Sequence, residues 1–307
     1  MDYADAVASF ALPTPSPVPI PTPTVDASPA RRFRDAIEPI AMHSVWSRVT
    51  NERLAGLGLN FLTGYVWGRA AALGHPEPGV VVSAFAVFDP VLITAVYAEG
   101  RAAVGRDEML AARAESTVAS LTDVLGDSIG DIEVSRIADT LRSAVSSLSG
   151  MGRPLFSGLC DQEWPTSPVG VVWRACELAR EHRGDGHIAV CLSEGLDPVK
   201  TNVLTELFVG FPLGSYSASR GWSPEQIAEA ADDLRAAGLL DDDGLTAAGL
   251  EYRREIEART DDLDQPLIDA INALGGVESL LEPLASWSER CVSVGAFPPD
   301  PSKRAAG

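Results

Sequence analysis

The sequence has 307 residues, of which 46% are hydrophobic, and its 43 acidic side chains outnumber the 24 basic ones, giving a formal net charge of −19. This length is sufficient for two ordinary domains or for one large one. Such an acidic chain repels the phosphate backbone at long range, which disfavours nucleic acid as a partner. The longest apolar stretch, residues 80–88, is too short to span a bilayer, so no membrane partner is predicted.

The N-terminal segment begins with an acidic stretch and continues into a proline-rich one. The start, Met1-Asp2-Tyr3, is acidic where a secretory signal would be basic, so a cytoplasmic location is expected. Proline is dense over residues 12–29, and proline supplies no amide donor for a helix or a sheet. We therefore predict a disordered tail over residues 1–30 and a flexible tail over residues 291–307. The proline-rich tail could also dock on a protein partner.

Several kinds of active site are missing from the sequence. The four cysteines never occur as C-x-x-C, the spacing of a zinc knuckle or a thioredoxin motif, and are expected to be small buried side chains. The sequence contains no P-loop, dinucleotide-binding glycine motif, serine-hydrolase elbow or H-E-x-x-H. No metal and no cofactor is predicted.

The N-terminal half, residues 31–150, has a helical pattern throughout. Gly64 and Gly68 are four residues apart, and their small size would let a neighbouring helix approach closely. Apolar runs on both sides of Pro90 are interpreted as buried helices despite their β-branched residues. Helices are predicted over residues 32–42, 46–57, 61–73, 80–88, 91–99, 107–125 and 132–148.

The C-terminal half, residues 168–290, contains the most distinctive signals. Helices are predicted at 169–180, 188–194 and 198–208, with a polar turn at 181–187. Ser223 is a helix cap followed by Pro224 at the first turn, and Gly238 is a helix stop. A tight hairpin over residues 239–245 then precedes a long helix that begins at Thr246 and is predicted to end at Thr260.

This order of helix, glycine stop, hairpin and long helix is that of a winged helix. Over residues 195–262 the sequence resembles the MarR family of regulators, which implies a helix-turn-helix fold. A winged helix that reads DNA needs basic side chains on its recognition helix and wing. Here the wing tip is Asp241-Asp242-Asp243, and the helix at 224–237 carries four acids and one arginine. Duplex DNA is therefore an unlikely partner.

A second signal suggests duplication. The segment Leu73–Pro78 has the same glycine and proline-glutamate pattern as Arg220–Glu225, and a helix follows each segment. We interpret the two halves as copies of a winged-helix module, the first of which has lost its wing. The predicted architecture is all-α with a short β wing, in two winged-helix-derived halves that form an internal pseudo-dimer.

The densest polar cluster is the run His182-Arg183-Gly184-Asp185-Gly186-His187. One interpretation is structural, with Asp185 capping a helix or pairing with Arg183. The alternative is a ligand site in which His187 and Asp185 are catalytic acid-base groups and His182 and Arg183 bind the ligand. The two histidines are five residues apart, which does not suit a shared metal site.

Four further ligand-binding candidates lie in the N-terminal half: His43, Trp46, Tyr65 and Arg69. Their helices are rich in aromatic residues, which could form the core or line an apolar cavity between the halves. The most useful observation would be whether these side chains and the polar run converge on one cavity.

Three segments together, residues 38–44, 68–74 and 180–189, resemble an actinobacterial helix-turn-helix family. The resemblance extends from residue 31 to about residue 284 and implies a shared fold and polar site, but no particular reaction. The sequence departs from the family pattern at Ala72, where proline is usual, and at Asp89, where histidine often precedes Pro90.

These observations favour a small-molecule-binding protein of winged-helix ancestry that no longer reads DNA. It could also be a cofactor-free enzyme of specialised metabolism that uses His and Asp as acid-base groups. A MarR-like transcriptional regulator and a scaffold or interaction protein are the alternatives. Interdomain pockets are common sites for small molecules, so the expected ligand is a partly aromatic or polyketide-like compound held between the halves.

Overall fold

The computed structural model describes residues 2–8, 27–126 and 130–305, apart from the side chain of Asp131. It is all-α with a short two-stranded wing, as predicted. The helices before residue 160 are α1 Tyr3–Ala8, α2 Pro29–Ala41, α3 His43–Trp46, α4 Arg48–Ala55, α5 Phe61–Ala70, α6 Pro78–Phe85, α7 Pro90–Ala103, α8 Arg106–Leu125, α9 Asp131–Val145 and α10 Pro154–Cys160, with a 3₁₀ turn at Ala71–Leu73 after α5. The later elements are α11 Pro168–Ser193, α12 Pro198–Phe208, α13 Ser215–Ala218, α14 Pro224–Ala236, strands β1 Leu240–Asp241 and β2 Gly244–Leu245, α15 Ala247–Asn272, α16 Glu278–Ser293 and α17 Pro301–Ala305.

Part of the predicted N-terminal tail is folded. Helix α1 buries Ala6 almost completely against the body, and the Tyr3 hydroxyl donates a hydrogen bond to the Trp46 carbonyl at 2.8 Å. At the other end of the segment, Ser28 caps α2 by accepting a hydrogen bond from the Arg31 amide. The prediction of a tail is therefore wrong at both ends of residues 1–30. Most of the proline-rich segment, residues 9–26, lies outside the described residues.

The predicted C-terminal tail is also wrong over most of its length. Helix α16 continues to Ser293, Phe297 is buried in the same cluster as Ala6, and Lys303 on α17 is only 6% exposed. Helix α17 lies against α2, which gives the side chains of this segment a surface to pack on. Both chain ends therefore meet on one side of the molecule.

The largest hydrophobic core includes residues from both predicted halves. It joins α2, α8 and α9 to α10, α11, α15 and α16, and Trp173 on α11 is fully buried within it. Helix α11 packs against α2, α9 and α15 along its 26 residues. The two halves thus share one core, while their origin by duplication remains a hypothesis.

The polar run at 182–187 does not form the predicted turn. It lies inside α11, which continues unbroken to Ser193. The two glycines disfavour a helix, but a Cβ at Gly186 would lie 2.5 Å from an Arg153 guanidinium nitrogen, so the absence of a side chain there leaves room for that group. Arg153 in turn donates a hydrogen bond to the His182 carbonyl. Tertiary packing has overridden the local preference for a turn.

The winged helix is formed as predicted from its local signals. Ser223 caps α14 in a capping box with Gln226, and Gly238 ends the helix at a φ of 74°. Strands β1 and β2 pair antiparallel, and the Thr246 side chain caps α15. Helix α15 is longer than predicted and continues through Pro266.

Close helix packing in the N-terminal half depends on glycine. A Cβ at Gly64 would lie 3.2 Å from Leu54 on α4, and one at Gly68 would lie 3.0 Å from Met109 on α8. The prediction that these positions admit a neighbouring helix is confirmed. A third glycine, Gly100 on α7, lies against Trp67 on α5, where an added Cβ would be 2.8 Å away.

Candidate functional site

A cavity of about 580 Å³ lies where the N-terminal helices meet the winged-helix region. Helices α2, α5, α6, α11, α12 and α15 contribute lining residues, and the segments near the two chain ends contribute Ala6 and Lys303. The volume is within the range of small-molecule sites. The aromatic part of its lining consists of Phe33, Trp46, Phe61, Tyr65, Phe85, Phe88, Phe211 and Tyr216.

One edge of the cavity is a strained turn between α6 and α7. Ala86 adopts a φ of 44°, which is unfavourable for a residue with a Cβ, and the flanking residues Phe85 and Val87 line the cavity. The Val87 carbonyl accepts hydrogen bonds from the Asn202 amide at 2.7 Å and from the Trp222 indole at 2.9 Å. The C-terminal half therefore holds the turn in place.

Charged side chains line the remainder of the cavity, and the cations outnumber the acids. The cations are Arg34, Arg69, Arg180, Arg183, Arg220, Arg253 and Lys303, and the acids are Glu38, Glu181, Asp185, Glu257 and Asp264. This balance is opposite in sign to that of the whole chain. Two of these cations, Arg34 and Arg183, have carboxylate partners that are not part of the lining, Asp35 and Asp261.

Arg69 and Tyr65, both predicted as ligand-binding, lie in the cavity wall. Arg69 donates hydrogen bonds to both Glu181 oxygens, at 3.0 and 2.7 Å, and a third to the Tyr65 hydroxyl at 2.7 Å. Glu181 also contacts Arg180, which pairs with Glu38 on α2. Burial alone would raise the pKa of Glu181, but the two arginines hold it below its ordinary value. This network joins α5, α11 and α2 across the cavity wall.

Arg183 is in the cavity wall but does not pair with Asp185, as one interpretation expected. Its guanidinium donates to Asp261 at 2.6 Å and to Glu257 at 3.1 Å, both on α15. Arg253 shares Glu257, and the adjacent cations hold the pKa of that carboxyl well below its usual range despite burial. These ion pairs dock α11 onto α15.

Asp185 lines the cavity and contacts the first turn of α10, a helix other than its own. Its carboxylate accepts a hydrogen bond at 3.1 Å from the Phe156 amide, at the start of α10. Burial raises the pKa of Asp185 to about 7, although that amide bond favours the charged form. The protonated and ionised forms are therefore both accessible near neutral pH.

His187 also lines the cavity. Its Nδ1 atom is 3.1 Å from the Thr260 hydroxyl, and its Nε2 atom is 3.6 Å from the Cys191 sulfur. Burial, together with the nearby Arg253, lowers the pKa of His187 to about 3, so the ring is neutral at physiological pH. A neutral imidazole can accept or donate a hydrogen bond but carries no charge for a ligand.

Two of the predicted site residues lie outside the cavity lining. His43 is fully buried, with Nε2 at 2.9 Å from the Ser120 hydroxyl, and burial lowers its pKa to about 4. His182 packs its ring against Phe156 and places Nδ1 at 2.7 Å from Asp264. Both histidines are buried and contact other side chains, and neither is among the residues that line the cavity. Trp46, Tyr65, Arg69, Arg183, Asp185 and His187 do converge on the cavity.

Several lining residues carry no signal that a sequence would show. Lys303 comes from the predicted tail, and Arg220 stands beside a helix start where only Trp222, Ser223 and Pro224 are conspicuous. Asn202 lies on α12 among apolar neighbours. Only the tertiary arrangement brings these groups to the cavity.

The outer face of the winged helix is acidic. On α14, Glu225, Glu229, Asp232 and Asp233 are exposed, and Arg235, the basic residue of this helix, pairs with Asp232 at 2.7 Å. The three aspartates of the wing tip are exposed as well. Phosphate contacts supply much of the affinity for DNA, and this face presents carboxylates where they would form.

The capped helix, the two-stranded wing and the long helix that follows define a helix-turn-helix protein of the winged type. The model of the helix-turn-helix family matches residues 30–298, and the chain belongs to this family. No curated protein and no solved structure gives a significant match. None of the helices in the described ranges has the length and apolarity needed to cross a membrane. Among the described residues, no cluster of His, Cys, Asp and Glu is suited to hold a metal ion.

Proposed function

We propose that this protein binds a small, largely apolar and partly aromatic molecule in the cavity between its two halves, and that it does not read DNA. The observation that carries the proposal is the cavity itself. Its volume of about 580 Å³ and its aromatic lining are typical of small-molecule sites.

Within this proposal, Asp185 is the candidate for proton exchange with the bound molecule. A carboxyl group with a pKa near the working pH can act as general acid or general base. His187 would contribute a hydrogen bond rather than a charge, because its pKa of about 3 keeps it neutral. The predicted pair of catalytic groups thus becomes one acid-base residue and one polar neighbour.

The proposal is tested with a neutral aromatic fluorophore, phenylnaphthylamine, titrated into the purified full chain. We expect saturable binding and a raised melting temperature. Ala84→Trp, which fills the cavity from α6, should abolish this binding. Ala228 is exposed on α14 away from the cavity, so Ala228→Trp is the matched control and should bind like the wild type.

Circular dichroism establishes that each variant is folded, and Thr205→Phe provides a second obstruction from α12 in case Ala84→Trp does not fold. Equal binding by the wild type and both obstructed variants would place the fluorophore elsewhere and contradict the proposal. Absence of saturable binding by the wild type would also contradict it.

A ligand-responsive transcriptional regulator is the second candidate. Membership of the helix-turn-helix family and the intact cap, helix and wing favour it. The exposed carboxylates of α14 and the wing favour the binding protein instead. A scaffold role through the proline-rich tail concerns residues that lie mostly outside the described ranges, and no described contact supports it.

A further inference from the structure

A short chain of hydrogen bonds connects the His187 ring to α15. Its Nδ1 atom is 3.1 Å from the Thr260 hydroxyl, and that hydroxyl is 2.7 Å from the Ile256 carbonyl oxygen, one turn earlier on α15. A hydroxyl group has one hydrogen to donate, and a carbonyl oxygen can only accept. The Thr260 hydrogen therefore lies on the bond to Ile256. The Thr260 oxygen must then accept a hydrogen bond from Nδ1 of His187.

This arrangement determines which nitrogen of His187 carries the proton. Burial lowers the pKa of His187 to about 3, so the ring is neutral and has a single N–H. That N–H is at Nδ1, because the hydrogen bond made by one ring nitrogen decides the tautomer. Nε2 is left with a lone pair and can only accept a hydrogen bond.

The group that Nε2 contacts within the protein is a weak donor. The Cys191 sulfur is 3.6 Å from Nε2, and a thiol donates only a weak hydrogen bond. His187 is one of the residues that line the cavity. It therefore gives the lining a hydrogen-bond acceptor for which a hydroxyl group is a better partner than the thiol.

The charges around His187 favour a neutral group at this acceptor. Arg183 and Arg253 are close enough to lower the pKa of His187, and both pair with Glu257. A charged ligand group here would compete with these ion pairs, whereas a hydroxyl group would not. A ligand carbonyl or carboxylate oxygen would also bring its lone pairs against the lone pair of Nε2.

We propose, as a refinement that rests on the binding function above, that the ligand is a neutral hydroxylated aromatic compound whose O–H donates a hydrogen bond to Nε2 of His187. His187 is then the residue that selects for the hydroxyl group, while the aromatic lining contacts the ring system of the ligand. A compound of similar shape whose oxygen carries no hydrogen cannot make this bond, and a site built around a hydrogen bond discriminates against such a compound.

The test compares beta-naphthol with its methyl ether, two neutral fluorescent compounds whose oxygen does or does not carry a hydrogen. We expect the wild type to bind naphthol more tightly by roughly 3- to 10-fold, the effect of one hydrogen bond between neutral groups. His187→Phe keeps an aromatic ring but removes the acceptor, so its affinities for the two compounds should agree within about twofold. The matched control is His75→Phe, at an exposed histidine outside the cavity, which should keep the wild-type preference.

Thr260→Val provides an independent variant in case His187→Phe does not fold. It removes the acceptor that holds the proton on Nδ1 but leaves the His187 ring in place, so the preference for naphthol should fall. Thr140→Val is its matched control. Thr140 on α9 donates the same kind of bond, at 2.9 Å to the Arg136 carbonyl, and lies outside the cavity.

The tautomer itself is measured in the wild type by nitrogen NMR of the histidine side chains, of which the chain has four. The signals that disappear in His187→Phe belong to His187. We expect a protonated Nδ1 and an unprotonated Nε2, and a protonated Nε2 would overturn the proposal.

The binding data separate this proposal from the binding function. Equal affinity of the wild type for naphthol and its methyl ether would overturn the assignment of a hydroxyl group while leaving the binding function intact. The same conclusion would follow if His187→Phe kept the full preference for naphthol. Failure of both compounds to bind would instead contradict the binding function itself.

Discussion

At the scale of single residues, Asp185 shows how burial changes an ordinary carboxyl group. Its pKa in the folded chain is about 7, against an ordinary value of 3.8. Between these two pH values the folded chain retains a proton that the unfolded chain has lost. This residue therefore lowers the free energy of unfolding as the pH rises from about 4 to 7.

Replacing Asp185 by Asn should remove that contribution. Between pH 5 and pH 8 we expect the free energy of unfolding of Asp185→Asn to increase by about 1–3 kcal/mol relative to that of the wild type, because only the wild type loses stability over this range. Urea denaturation at the two pH values measures the difference. Asp242→Asn, at the exposed wing tip, is the control and should follow the wild type. Parallel pH dependence of Asp185→Asn and the wild type would show that the carboxyl is not protonated in the folded chain.

Residue roles were predictable only where neighbours in sequence decide them. Arg69 and Tyr65 are four apart on one helix and meet in the cavity wall, as their spacing allows. His43 and His182 have partners 77 and 82 residues away, Ser120 and Asp264, and both lie outside the cavity lining. No local pattern distinguishes such a histidine from a ligand-binding one.

At the scale of helices, contact between α5 and α7 depends on the absence of a side chain at Gly100. Gly100→Ala should lower the free energy of unfolding by about 1–3 kcal/mol, because the added Cβ would overlap Trp67. Gly79 is exposed near the start of α6, with nothing within 4 Å of an added Cβ, so Gly79→Ala should be neutral or slightly stabilising. Chemical denaturation compares the pair. Equal effects of the two substitutions would mean that α7 can shift away from α5 at little cost.

A second prediction at the scale of helices concerns the acidic residues of α14 and their effect on DNA binding. In an electrophoretic mobility-shift assay at moderate salt, the wild type should bind duplex DNA with a dissociation constant no lower than about 10⁻⁶ M. This value is the tight end of ordinary non-specific binding. The double substitution Glu225→Lys and Glu229→Lys should create measurable binding to duplex DNA, because phosphate contacts become available on the exposed face.

The control for this experiment places the same charge change on α15, with lysine at Glu251 and Glu255, which are also exposed. We expect a smaller gain there if the recognition helix faces DNA as in other winged helices. Tight, sequence-selective binding by the wild type would favour the regulator over the binding protein.

Elements with strong end signals were predictable, and those governed by distant packing were not. Ser223, Gly238 and Thr246 specify the ends of α14 and the start of α15 through local hydrogen bonds and a glycine φ of 74°. In α11, by contrast, Gly184 and Gly186 favour a break, but partners on α10 and α15 hold the segment helical. A window of neighbouring residues does not contain that information.

At the scale of the whole molecule, both chain ends help to enclose the cavity. Ala6→Asp would introduce a carboxylate into the apolar cluster of Trp46 and Phe297, so α1 should detach. We expect the melting temperature to fall by roughly 2–4 °C, equivalent to about 1 kcal/mol. Ala8→Asp, on the exposed side of the same helix, should leave the melting temperature unchanged. Identical melting curves for the two variants would show that α1 contributes nothing to stability.

The overall fold class was accessible from the sequence because helical periodicity and one hairpin determine it. The arrangement of the two halves was not. Their common core depends on α2 packing against α11 and α16, a contact between helices at opposite ends of the chain. The cavity follows from the same arrangement, which explains why its residues come from so many separate segments.

That contact between α2 and α16 has a consequence for synthesis on the ribosome. The Ser288 hydroxyl donates a hydrogen bond to the Ala36 carbonyl, 252 residues earlier in the chain. At ordinary elongation rates, roughly 13–50 seconds separate translation of these two residues. During that interval the apolar side chains of α2, including Phe33 and Ile37, lack the surface that finally covers them. A nascent chain of this protein should therefore depend on protection from aggregation until its last long helix has emerged.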